Sequence, residues 1–315
     1  MCFENETRVT QIRMIGFQSL YKYRSLLFIV FLLTYLFILV GNLLIILLVT
    51  IIDHLKIPMY FFLKHLSIAD ILATTSVVPM MLDTTFVEEG VLPLWGCILQ
   101  LYIYAIIVIA QCYLIAVMSY DRYLAICHPL RYSSLMGPHL CLRLVIWSWL
   151  LSGMLMLSEI LVVIQLNFCG SNSIDHFFCD FGPTMALATS DTSSLFLQDL
   201  IISIFTSLFP FSFIIVTYIC IFYTILKISS THSRKKAFST CSSHLITVCM
   251  YYGAVITIYS TPSYENTSHI NKYITLLYII VTPLMNPIVY SLRNKEIKRA
   301  MQKLISRIFL NGWRR

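Results

Sequence analysis

The chain has 315 residues, of which 58% are hydrophobic and only 12% charged, and its mean hydropathy is +0.80. Soluble domains carry about 25% charged residues, so a soluble fold is excluded and an integral membrane protein is indicated. The net charge of +7 gathers in a few connections, which suits contact with lipid headgroups and protein partners and not nucleic acid.

In chain order, Met1–Tyr23 is polar and mixed, with no apolar core ahead of a small-residue cleavage site, so the first span is expected to direct insertion itself. Asn5-Glu6-Thr7 forms a glycosylation sequon, and Asn266-Thr267-Ser268 a second one in a short loop close to the membrane. Crossing a bilayer takes about 20 apolar residues. Uncharged or nearly uncharged runs of that order occur at Ser25–Ile52, at 58–82 (interrupted by Lys64 and Asp70) and at 94–120. The third run ends directly on Asp121, Arg122 and Tyr123. Further runs follow at Leu144–Ile164, with Glu159 near its end, at Leu200–Leu226, at Ala237–Thr261 and at Tyr273–Leu292. The connection from Gln165 to Asp199 is long and polar and reads as a structured lid.

After the seventh run, Ile297, Met301, Leu304 and Ile308 recur at helical spacing with Lys295, Lys298, Arg299, Lys303 and Arg307 between them. That pattern suits a helix lying on the anionic inner leaflet. The expected fold is an all-α membrane protein, a seven-transmembrane helix bundle with a short amphipathic helix after the last span. Residues 1–24 form an extracellular segment, 25–292 the membrane domain, and 293–315 a cytoplasmic helix and tail.

Seven spans put the termini on opposite sides, and Lys and Arg decide which side is which. The connections on the C-terminal side hold sixteen basic residues and those on the N-terminal side five. The tail is therefore expected in the cytoplasm and the N-terminus outside, although Lys22 and Arg24, flanking the first span, pull the other way.

Charges inside spans need a stated partner or an escape route. Lys64 lies near the inner end of its span and snorkels to headgroups. Glu159 lies near an outer end, where interfacial exposure suffices. Asp70 sits near mid-membrane and needs a partner, a proton or a cation. Pro287 leaves a carbonyl of the seventh span without its amide partner, which permits a bend. Cys112, Cys127, Cys141, Cys220, Cys241 and Cys249 lie in or near spans and inner loops, where small apolar packing explains them. Cys97, Cys169 and Cys179 lie outside; three thiols allow one bridge and leave one over. No His, Cys or carboxylate set has metal-ligand spacing, and nothing implies catalysis or a cofactor. A multi-pass transporter is the rival from another class, but no segment repeats as transporter halves do, and the spans hold too few charges for a polar path.

Four stretches bear together on one family: "PMYFFLKHLSIAD" (Pro58–Asp70), "MSYDRYLAICHPLRY" (Met118–Tyr132), "KAFSTCSSHL" (Lys236–Leu245) and "PLMNPIVYSLRNKEIKRAM" (Pro283–Met301). The outer loop "CGSNSIDHFFCD" (Cys169–Asp180) joins them. The chain resembles the vertebrate odorant receptors, a branch of the rhodopsin-like G-protein-coupled receptors, from Gly41-Asn42 to Met301. The resemblance implies that Asp121 holds Arg122 at rest and frees it towards a G protein on activation. Tyr123, Tyr218, Asn286, Pro287 and Tyr290 complete that switch, the hydroxyls of Tyr218 and Tyr290 meeting near Arg122 in the active state. It also pairs Cys97 with Cys179. Relatives bridge two further loop cysteines, at 169 and 189, but Thr189 stands here in "LATSDT", so Cys169 is left over and the loop is expected to be looser. Asp70 and Asn286 match a sodium pocket, but Gln111 replaces the third-span glutamate found in many members.

Within the resemblance, helical geometry sketches a ligand cavity in the outer half. The third span contributes Tyr104, Ala105, Val108 and Ile109, and the fifth Ile202, Ser203 and Thr206. The sixth adds Tyr252, Val255, Ile256 and Tyr259, and the seventh Leu276 and Ile279. The set is apolar with scattered hydroxyls and no charge, as a small neutral ligand needs. The implied protein is a receptor for a small volatile odorant, coupled through a stimulatory heterotrimeric G protein to cAMP, multi-pass in the plasma membrane of olfactory neuron cilia. The alternative within the family is a receptor that senses a small molecule outside olfactory tissue.

Overall fold

The structure, a computed structural model, describes residues 7–87, 90–260, 268–293, 296–299 and 301–302. Ten helices and three short strands alternate along this part of the chain. Strand β1 (Gln11–Met14) leads through a 3-10 turn (Gln18–Tyr23) into α1 (Arg24–Ile51); α2 (Pro58–Phe86), β2 (Gly90–Pro93) and α3 (Leu94–Cys127) follow. Next come α4 (Pro129–Leu135), α5 (Pro138–Val163), β3 (Ser173–Ile174), α6 (Phe181–Met185) and α7 (Ser193–Ser203). A π-helical turn (Ile204–Leu208) joins α7 to α8 (Phe209–Leu226), and α9 (Thr231–Ser260) and α10 (Ser268–Arg293) close the bundle.

Among the described residues, six helical stretches are long and apolar enough to cross a membrane, lying in α1, α2, α3, α5, α7–α8 and α10. The seventh member, α9, is 30 residues long but opens with a polar stretch, Thr231–Lys236, which lowers its hydropathy. Helix α3 is central, packing on α2, α5, α8 and α9. The helices outrun the uncharged runs because backbone hydrogen bonding continues into the headgroup zone. Thus α3 carries Asp121 and Arg122 inside its last two turns and ends at Cys127, and Pro129 starts α4. Proline at a first helical position loses nothing, since that N–H has no partner anyway.

Two prolines shape the bundle locally. Pro287 lacks the N–H that would serve the carbonyl of Pro283. Asn42 of α1 replaces it: its Nδ2 donates to Pro283 O at 3.1 Å and to Ile38 O at 3.0 Å. Gly41 makes this approach possible, because a Cβ there would lie 2.9 Å from Pro287 Cβ. Similarly, Pro210 has no N–H for Thr206 O, and the ladder slips so that Phe209 N–H reaches back five residues to Ile204 O. Such π-turns recur at functional positions, and this one turns Thr206 inward, where it is buried.

The outer mouth carries a small sheet of order β2-β1-β3. Strand β1 is antiparallel to β2, with Ile12 opposite Leu92, and parallel to β3, with Arg13 opposite Ser173. Ile12 and Met14 are fully buried while Gln11 and Arg13 face out, the two-residue alternation of a half-covered strand. A bridge from Cys97 at the top of α3 to Cys179 pins the long loop. Lys272 of α10 is buried and donates to Gly16 O at 2.7 Å and to the Asp175 carboxylate, fastening the N-terminal turn and the loop to the bundle. Cys169 corrects the sequence reading: it is disulfide-bonded, not left over. Its partner lies outside the described residues. The sequon at Asn5 and the second one also lie outside them, as does most of the expected helix at 293–308. Residues 296–299 and 301–302 are helical, with Ile297 buried.

Candidate functional site

At the inner end of α3, Arg122 Nε donates to Asp121 Oδ2 at 2.9 Å and its Nη2 reaches the same oxygen. Both side chains are buried. The other oxygen, Oδ1, accepts from the Tyr132 hydroxyl of α4 at 2.8 Å. A charge removed from water needs its remaining hydrogen-bonding capacity filled, and Tyr132 does this for Asp121. Outside the spans, burial and the neighbouring Asp121 carboxylate both push the Tyr132 phenol up, so it stays a donor. The sequence reading missed Tyr132, although it closes the quoted "CHPLRY". Tyr123 is placed elsewhere, hydrogen-bonding His128 Nε2 at 3.1 Å and stacking near Tyr120.

Tyr218 is engaged by His244, at 2.7 Å to Nδ1 with the two rings parallel. His244 Nε2 donates to Ile115 O at 3.2 Å, so Nδ1 is the acceptor and Tyr218 the donor. His244, in the quoted "KAFSTCSSHL", is fully buried and ties α9 to both α3 and α8. Ser119 and Thr217 link α3 to α8 one turn away. Tyr290 is fully buried.

One level further out, Asp70 Oδ1 accepts from Gln111 Nε2 at 2.8 Å and Oδ2 from Asn286 Nδ2 at 2.9 Å. The Asn286 orientation is fixed by Thr247, whose hydroxyl donates to Asn286 Oδ1 at 3.3 Å. The three residues are thus brought together, but two of them aim N–H donors at the one carboxylate. A cation needs converging oxygens, and this arrangement instead satisfies Asp70 with amides, so the residues do not fit a sodium ion. Gln111 is the reason: a glutamate there would add an acceptor.

In the outer half, the expected cavity residues fall into two adjoining clusters. Tyr104, Val108, Tyr252, Val255, Leu276 and Ile279 pack in or against one, and Ala105, Ile109 and Ile202 in or against the other, beneath Cys97–Cys179. The split follows from the third span, where 104/108 and 105/109 stand about 100° apart around the helix. Ser203 is half-buried and Thr206 buried. Ile256 is a correction: it is 50% exposed on the outer surface of α9. The inward stripe there runs through Val248, Tyr251, Tyr252 and Val255, steps of three and one, leaving Ile256 beside Gly253 on the lipid face. The side chain of Tyr259 lies outside the described set.

Sequence reasoning missed the aromatic furniture of this level. Tyr251 donates to Val108 O at 2.8 Å and sits 3.0 Å from Cys112 Sγ. Phe211 stacks on Tyr252, and Phe178 of the long loop meets the Tyr104 ring edge-on at 5.4 Å. The Tyr252 hydroxyl is buried and lies near the Cys112 thiol. Glu159 is a second correction: it is 2% exposed, on the α5 face of Met156 and Val163, which pack beneath the loop. Interfacial exposure does not account for it. Lys64 lies over the Phe61 ring at 5.9 Å. A groove of about 320 Å³ lies elsewhere, between Tyr113, Tyr120, Leu144, Trp147 and Phe213. Trp147 and Phe213 are exposed, so it opens on the lipid side.

A sequence profile described as olfactory receptor matches residues 31–308. The human protein Olfactory receptor 11A1 is 43% identical over 301 residues, covering 96% of this chain and 95% of that one. Mouse Olfactory receptor 5G26 is 41% identical over 98% of this chain and 97% of its own length. Rat Olfactory receptor 1f45 is 40% identical, over 98% and 99%.

Proposed function

The chain belongs to the olfactory receptor family of multi-pass plasma membrane receptors, and on that premise we propose that it binds a small, neutral, mostly apolar volatile and activates a stimulatory heterotrimeric G protein. The N-terminus lies outside and the tail inside, in agreement with the distribution of Lys and Arg. Ligand binds in the outer half of the bundle, under the loop that carries Phe178. Most of its binding comes from burying apolar surface, at about 25 cal/mol per Å². Discrimination among volatiles of similar size comes from hydroxyls such as Thr206 and Tyr252, because an unmet buried polar group is costly.

The observation that carries the reading is the buried Arg122, held by Asp121 and, through it, by Tyr132 at the cytoplasmic end of α3. This is a resting lock whose release exposes a cation to a partner. Tyr218, captured by His244, is held in the same state. A ligand that favours the unlocked packing shifts the population, and the G protein reciprocates by linkage. The test is a panel of neutral volatiles applied to cells expressing the full chain with a stimulatory G protein. Ligand-evoked cAMP is expected; ligand uptake without cAMP overturns the reading.

A further inference from the structure

We propose that Tyr102 of α3, Glu159 of α5 and Asp199 of α7 form a subsite for the ammonium head of a primary alkylamine, a ligand class beyond the neutral volatiles proposed above. Three helical stripes bring these residues together. On α5, Glu159 lies between Met156 and Val163 at steps of three and four, and all three are buried. On α7, the half-buried Asp199 lies between Leu195 and Ile202 at steps of four and three. Tyr102 shares its α3 face with Ala105 and Ile109. The apolar members of the three stripes pack in or against the one cluster that holds Cys97 and Cys179. Beside the two carboxylates, Gln198 Nε2 donates to Ser158 Oγ at 3.2 Å and ties α7 to α5.

The charges that meet here are of one sign. Glu159 is 2% exposed, so water has little access to it. The charge acting on Glu159 is the Asp199 carboxylate, and the charge acting on Asp199 is the Asp180 carboxylate. Among the described residues neither Glu159 nor Asp199 forms an ion pair. Like charges in a poorly solvated site repel strongly, and a cation seated between them relieves the repulsion. The Tyr102 hydroxyl is an independent sign. Tyr102 is 4% exposed, and its hydroxyl is buried with no hydrogen-bond partner among the described residues. The charges acting on that hydroxyl are those of Glu159 and Asp199. A buried hydroxyl left unmet is costly, and this one stands beside the two carboxylates.

The three oxygen groups select the ligand. An ammonium carries three N–H donors and no acceptor, one donor each for Glu159, Asp199 and the Tyr102 oxygen. An alcohol has a single donor and leaves one carboxylate as it was. A metal ion is the poorer match, because among the described residues no group of three or more His, Cys, Asp or Glu side chains is placed to hold one. Below the head the walls are apolar. From Tyr102 to Ile109 is about 10 Å along the α3 axis, and Ile202 descends beside them on α7. An alkyl tail therefore runs into the cluster of Ala105, Ile109 and Ile202 that neutral ligands also use.

The test compares hexylamine, a cation at neutral pH because its amine resembles that of lysine, with hexanol of equal length. Each is titrated into full-length receptor in lipid nanodiscs at neutral pH, and binding is read from the rise in melting temperature. Wild type should bind hexylamine at least about tenfold more tightly than hexanol, the margin that one hydrogen bond to a charged group supplies. Glu159→Gln and Asp199→Asn keep the shape and remove one charge each. Each should weaken hexylamine by about tenfold and leave hexanol within about twofold. Tyr102→Phe should weaken hexylamine several-fold and spare hexanol. Binding is read without signalling, so a failure to couple to a G protein leaves this test intact. A receptor that binds hexanol and not hexylamine keeps the neutral-ligand reading and overturns this one. Hexylamine no tighter than hexanol on wild type overturns the proposal even if every variant fails to fold. An unchanged preference for hexylamine in both carboxylate variants, or stabilisation by calcium chloride that hexylamine does not reproduce, overturns it as well.

Discussion

Replacing Lys272 with Met keeps the length and apolar stem of the side chain and removes its charge. In the folded receptor the ammonium donates to Gly16 O at 2.7 Å and to Asp175. The Lys272 side chain is 5% exposed and that of Asp175 31%. Breaking a well-buried pair costs about 3–5 kcal/mol, and a hydrogen bond to a charged group is worth about 1.5–3 kcal/mol. Because Asp175 keeps partial access to water, the lower end applies, about 2–3 kcal/mol against the closed lid. That corresponds to a rise of roughly 30–150-fold in the open population. The reporters are the amides that the lid protects: Arg13 N–H on Asn172 O, Ile15 N–H on Ile174 O and Gly16 N–H on His176 O. Hydrogen exchange on receptor in lipid nanodiscs should show those amides exchanging faster by that factor, with the amides of α3 unchanged. Asp175→Asn, which keeps an acceptor, should fall between. If protection of residues 11–16 drops less than about threefold in Lys272→Met, the lysine does not pin the lid.

Other consequences are open to direct measurement. Arg122→Ala should abolish ligand-evoked cAMP while the receptor remains at the cell surface by antibody count. Asn42→Leu strands Pro283 O in the bundle and should cost about 1–3 kcal/mol, read as a lower melting temperature in detergent. Thr206→Val should weaken oxygenated ligands several-fold and spare hydrocarbons of equal length in paired dose–response curves. His176 is buried in the lid, which pushes its imidazole down; Asp180 and Asp175 partly offset this and Lys272 adds to it. The unfolded lid therefore binds protons more readily, and its stability should be full at neutral pH and decline as pH falls below about 6.5. In His176→Gln, amide exchange at residues 11–16 should lose that acid sensitivity.

The helices were legible because hydropathy reports them directly, and the inner site because its residues are neighbours in sequence or sit in quoted motifs: Asp121 with Arg122, Asn286 with Pro287. What escaped depends on pairing between elements. His244 lies in a run that reads as polar, and only the packing of α9 against α8 shows that it meets Tyr218. Ile256 was misjudged because the spacing of a stripe fixes its period but not its angular position. The strands of the lid are two to four residues long, too short for alternation to stand out. Glu159 looked tolerable at a span end because hydropathy does not show which face of α5 packs beneath the loop. Cys169 was counted against its near neighbours, whereas the backbone pairs it with Arg8, ahead of β1.

The sheet order also sets a timetable for synthesis. Strand β1 ends at Met14 and β3 begins at Ser173, so about 160 residues must be translated between the two, roughly 10–30 s at cellular elongation rates. Strand β2 arrives sooner, but a two-stranded ribbon is marginal by itself. For that interval Ile12 and Met14 stand uncovered, beside an unpaired strand edge of the kind that recruits other chains. The nascent receptor therefore passes through a stage in which the apolar face of β1 waits for its cover, and its yield is tied to how quickly the ribosome reaches Ile174.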